Sequence, residues 1–122
     1  MNTPIHWFEI PVADMARAIA FYENVFQISL HAETTAGMTL AVFPHTKPAT
    51  GGALCQSPQL PPGSGGCIPY LDGSDDLAQA LARAEAGGAA IMLGKTLISP
   101  EIGYMALFRD CEGNTIGLHS LH

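Results

Sequence analysis

Basic side chains are scarce in this chain: five Lys and Arg stand against eleven Asp and Glu, a formal net charge of −6. Binding a phosphate backbone needs a basic stripe that displaces counterions, and no such stripe exists, so nucleic acid is excluded as an expected partner. Long apolar runs are missing too. Nothing approaches the roughly 18 residues of a membrane-spanning helix, and Met1 to His6 carries neither a basic start nor the apolar run of a signal peptide. The expectation is a cytoplasmic protein with no membrane partner. Cysteine is sparse. Cys55, Cys67 and Cys111 are odd in number and lack CxxC spacing, which argues against a disulfide framework or a zinc knuckle and for free thiols.

What is present is enough apolar material, 48% of 122 residues, for one domain with a real core. Residues 5–12 read as a strand that runs through Pro11 into a helix start at Asp14, a good N-cap. Met15, Ala18, Ile19, Tyr22 and Phe26 then share one helical face, predicting a helix over 15–26. Short apolar stretches at 28–33, 38–43 and 52–56 predict three strands. The Pro- and Gly-rich segment 57–66 reads as a linker.

The pattern then restarts. A strand is expected at 67–71, a helix capped by Ser74 with Leu77, Leu81 and Ala84 on its apolar face, and a helix end at Gly87-Gly88. Strands follow at 89–93, 104–109 and 115–121, the last two joined by the turn 110–114. The predicted class is α+β: two tandem βαβββ modules, residues 1–58 and 65–122, in a single domain. Helices on one face of each sheet leave the other face free, and two such sheets can curl around a shared hollow, a cupped, partly open sheet with the helices outside.

Several segments carry a resemblance across nearly the whole chain. They are Phe8-Glu9-Ile10-Pro11-Val12-Ala13-Asp14, Arg17-Ala18-Ile19-Ala20-Phe21-Tyr22, Gly51-Gly52-Ala53-Leu54, Ala86-Gly87-Gly88, and the run from Asp110 to Ser120. In order and spacing they resemble the vicinal oxygen chelate superfamily, the glyoxalase, bleomycin-resistance and dioxygenase group. The resemblance implies paired βαβββ modules forming a cup, often in a homodimer. In the superfamily's enzymes it also implies a divalent metal, held by His, Glu or Gln, that chelates adjacent substrate oxygens. The positions matching the glyoxalase I ligands are Trp7, Ala53 or Cys55, Gly66 or Cys67, and Gly117. Trp7, Ala53 and Gly117 cannot hold a cation through their side chains, so glyoxalase I itself is not the expected activity.

Strand alternation puts Glu9 on the face of Trp7 and His119 on the face of Gly117, both toward the cup. A carboxylate and an imidazole there could act as acid and base on a small molecule; equally, they could only fix the sheet edges by hydrogen bonding. A divalent metal on Glu9, His119, Cys55 and Cys67 is a further reading, set against cysteine as a small buried hydrophobe. Trp7, Met38, Phe43 and Tyr70 are candidates for stacking on a ligand, or plain core. His6 falls out of phase with the cup, His31, His45 and His122 are expected in solvent, and Lys95 and Thr96 in a loop before the seventh strand. The main functional expectation is a glyoxalase-like lyase or isomerase using Glu9 and His119. The alternative is a sequestering protein of the bleomycin-resistance kind, which needs only shape and stacking. An interaction domain built on an exposed strand edge is a third reading.

Overall fold

The computed structural model describes residues 4–122, so the first three residues of the expected first module lie outside the described residues. Its elements run β1 (Trp7–Pro11), α1 (Met15–Phe26), β2 (His31–Thr35), β3 (Met38–Val42), β4 (Gly51–Gln56), β5 (Tyr70–Asp72), α2 (Leu77–Ala86), β6 (Ala90–Ser99), β7 (Gly103–Arg109) and β8 (Thr115–Ser120). This is the βαβββ order twice over. The strands form two four-stranded mixed sheets, β1-β4-β3-β2 and β5-β8-β7-β6, neither closed on itself. In each, the first strand of the module lies parallel to the last and forms a sheet edge.

The register sorts side chains onto two faces. Phe8, Ile10, Ala41 and Leu54 point to one face of the first sheet, and Ala106, Phe108, Ile116 and Leu118 to one face of the second. These faces bury against α1 and α2 in a single core with Ala18, Tyr22, Val25, Leu77, Ala80 and Ala84. The helices touch each other as well as their sheets, and Phe21 of α1 packs on Phe108 of the second module at 6.0 Å. The opposite faces carry Trp7, Glu9, Ala53 and Cys55 on the first sheet and Tyr70, Asp72, Gly117 and His119 on the second.

Local chemistry explains the elements and the places where expectation and structure part. Asp14 caps α1 by accepting the Arg17 N–H. At the other end Gln27 turns into the left-handed region, the Ile28 N–H returns to the Glu23 carbonyl, and the Leu30 N–H bonds the Glu23 carboxylate. That closure absorbs residues 28–30, so β2 begins at His31 and not at Ile28. In the second module the cap of α2 is Asp76, which accepts the Ala78 N–H, and not Ser74. Ser74 is held two residues earlier, at φ +65°, by its N–H to Asp72. The fifth strand starts at Tyr70 because Pro69 has no N–H for the ladder; its carbonyl still accepts from Gly117. Strand β6 extends to Ser99 with register shifts, so Lys95 and Thr96 lie in a strand, not a loop. Lys95 reaches Asp76 at 2.7 Å and sits over the Tyr104 ring at 4.6 Å.

The turn between β7 and β8 joins the modules. Asp110 accepts the Tyr22 hydroxyl at 2.6 Å and the N–H groups of Glu112 and Asn114. Asn114 donates to the Pro11 carbonyl, and Glu112 accepts from Ala13, Asp14 and Arg17 at the start of α1. No helix among the described residues is long and apolar enough to cross a membrane.

Candidate functional site

The main cleft, about 900 Å³, lies where the two edge strands β1 and β5 approach the ends of α1 and β3. Trp7 and Glu9 come from β1, Phe43 and His45 from the chain after β3, and Ile68, Tyr70 and Asp72 from the run into β5. Small residues make the walls flat. Gly51 lies under the His45 ring, Gly52 under Phe8, and Gly117 under the ring of Tyr70; in each case a Cβ would collide with that ring. Trp7 meets His45 edge-on at 6.1 Å, and Phe43 packs against Phe8 at 5.6 Å and Tyr22 at 5.9 Å. Trp7 and Tyr70 nevertheless stay 43% and 47% exposed, aromatic surface left unpacked at a cavity wall.

Three of the four residues expected to stack on a ligand, Trp7, Phe43 and Tyr70, therefore line one cleft. Met38 does not. It shares the open face of the first sheet but packs on Leu40, Ala53 and Cys55, with its Sδ 3.8 Å from the Cys55 Sγ. Burial, and then the nearby Glu9 carboxylate, push the Cys55 thiol up, which keeps it protonated and inert.

Glu9 projects into the cleft and accepts from the Trp7 indole N–H at 3.3 Å. His119 does not line this cleft; its Nε2 lies 2.5 Å from the Ile102 carbonyl in the β6–β7 turn. The proposed acid and base are thus not brought together within one chain. Nor does the expected donor set fit a metal. Glu9 and Cys67 line the cleft, Cys55 is covered by Met38, and His119 is turned to a backbone carbonyl. Among the described residues no group of three or more His, Cys, Asp or Glu side chains could hold a metal ion.

Sequence reasoning missed His45 and Asp72 as cleft residues. His45 is exposed, as expected of a loop histidine, but its ring lies over Gly51, a tertiary contact that hydrophobic periodicity does not signal. His31 is exposed beside Glu33 at 3.5 Å, and His6 is exposed just before β1.

The comparisons with known proteins agree with this geometry. No curated protein matches the chain. Among solved structures it is similar to TnmS3, an antibiotic binding protein from Streptomyces sp. CB03234, at 26% identity over 97% of this chain and 95% of that one, with a TM-score of 0.72. A glyoxalase/bleomycin resistance protein from the same organism is similar at 28% identity over 93% and 97% of the two chains, TM-score 0.71. A glyoxalase I mutant from Zea mays shares the fold, at 17% identity and TM-score 0.69, over 97% of this chain and 46% of that one. The family model for the Glyoxalase/Bleomycin resistance protein/Dioxygenase superfamily covers residues 4–118. Two βαβββ modules, a cleft along their first strands and that match together place the chain in this superfamily.

Proposed function

We propose that this protein binds and sequesters a flat, largely apolar small molecule in the cleft between β1 and β5. The observation that carries the reading is the pair of half-exposed aromatic walls, Trp7 and Tyr70, on a cavity of about 900 Å³. A cavity of that size suits a multi-ring ligand, and rings held flat over glycine offer stacking area at little entropic cost. The antibiotic binding protein similar in sequence and fold supports the same reading.

Trp7 is the sole tryptophan, so its fluorescence reports the cleft directly. Titration with three-ring aromatic compounds should quench and blue-shift the emission to saturation, and Tyr70→Ala should weaken binding roughly tenfold. A panel that leaves the emission unchanged overturns the proposal.

The catalytic reading, a lyase or isomerase with Glu9 and His119 as base and acid, is favoured by one observation. Glu9 is an exposed carboxylate in the cleft whose hydrogen bond, among the described residues, is to Trp7. It requires His119, or another proton carrier, to reach the cleft from elsewhere. A bound compound recovered unchanged after long incubation supports sequestration; turnover lost in Glu9→Gln supports catalysis.

The form we propose is a homodimer in the cytoplasm, where the three free thiols stay reduced. Edge strand β6, with the exposed side chains of Met92, Leu97 and Ile98, gives a second copy an apolar edge to cover and leaves the cleft open.

A further inference from the structure

Beside the main cleft lies a smaller cavity of about 250 Å³, lined by the linker at Pro61, Gly63 and Gly65 and by Asn114 and Thr115 at the start of β8. The two cavities share three lining residues, Glu9, Cys67 and Pro69. The Glu9 carboxylate therefore stands at the junction between an aromatic cleft and a small recess.

The charges around the junction are of one sign. The titratable side chains lining the two cavities are Glu9, Asp72, His45, Cys67 and Tyr70, with no Lys or Arg among them. Glu9 gives one oxygen to the Trp7 indole and Asp72 gives one to the Ser74 N–H, which leaves each carboxylate a second oxygen. The recess supplies no cation: Asn114 donates to Pro11 and Asp110, and Thr115 to the Ser64 carbonyl. An anionic group at the junction would meet the Glu9 carboxylate and no counter-charge, whereas a protonated amine would find an acceptor there and an aromatic face beside it.

We infer that the ligand is bipartite, a flat aromatic body in the main cleft carrying a short protonated amino arm that ends on Glu9 at the mouth of the recess. This rests on the binding reading above and adds the charge and layout of the ligand to it. Glu9 is then the residue that selects among flat molecules of similar size.

A matched series tests it: acridones bearing one short alkyl arm that ends in ammonium, hydroxyl or carboxylate, titrated against Trp7 fluorescence. The ammonium compound should bind about threefold to fivefold more tightly than the hydroxyl compound at low salt, and the carboxylate compound more weakly still. The preference should shrink at about 0.5 M NaCl, where the Debye length is a few ångströms, and should collapse in Glu9→Gln. Equal binding of the ammonium and hydroxyl compounds, or a preference that survives both salt and Glu9→Gln, overturns the inference while leaving the binding reading standing. If none of the three binds, the binding reading falls and this inference with it.

Discussion

Glu112 sits on a surface turn, yet its side chain is sealed from solvent, accepting the Ala13 and Asp14 N–H groups and pairing with Arg17 at 2.6 Å. Burial pushes its carboxyl up, but the Arg17 guanidinium and the two N–H donors more than offset this and hold it below its ordinary value of 4.5. A carboxylate with a depressed folded pKa stabilises the fold above its unfolded pKa, and that contribution is lost as the pH falls through the folded one. Glu112→Gln should therefore cost about 2 kcal/mol at neutral pH and flatten the acid limb of the stability curve below pH about 4.5, read by urea melts across pH. The neighbouring thiol behaves oppositely. Burial, then Asp110 and Glu112, push Cys111 up to about 12, and Cys55 is raised by burial and Glu9. Of the three cysteines only Cys67 is exposed, so a thiol reagent on the native protein should label one site rapidly, and Cys67→Ser should remove that phase. A ligand seated at the junction should slow it, since Cys67 lines both cavities.

Among the elements, the strand pair β5–β8 sets one wall of the cleft. Gly117 lies opposite Tyr70 in the register, and its missing side chain lets the ring lie flat on the sheet. Gly117→Ala should push the Tyr70 ring off the wall and weaken ligand binding up to about tenfold while costing little stability, because the displaced group is an exposed side chain. Trp7 fluorescence titration and thermal melts separate the two effects. The element order was legible in the sequence because hydrophobic periodicity, the Asp14 cap and the Gly87-Gly88 stop are local signals. The boundaries at 28–30, Ser74 and Lys95 were not, because side-chain bonds from Glu23, Asp72 and Asp76 to nearby groups decided them. The site was half legible. Alternation placed Trp7, Glu9 and Tyr70 correctly on open faces, but a face is not a cavity. Met38 and Cys55 share the face of Trp7 and Glu9, yet cover one another, and His119 is turned to the Ile102 carbonyl. No periodicity encodes such tertiary choices.

On the scale of the molecule, β6 is the outer strand of its sheet and leaves Met92, Leu97 and Ile98 exposed along an open edge. Sedimentation velocity at micromolar concentration should show a dimer, and a charge at an exposed position of β6, Leu97→Lys, should shift it toward monomer. The core belongs to both modules at once: Phe21 and Tyr22 of the first reach Phe108 and Asp110 of the second. Most telling is the turn from Asp110 to Asn114, which supplies an acceptor to the N–H groups at the start of α1 and a donor to the Pro11 carbonyl at the end of β1. A repeated architecture invites the thought that each half could stand by itself, but the start of the first helix is completed by the second half's last hairpin. Heat or urea should therefore melt both halves in one cooperative transition. A chain cut within the linker should keep its halves associated, while either fragment made alone should stay unfolded.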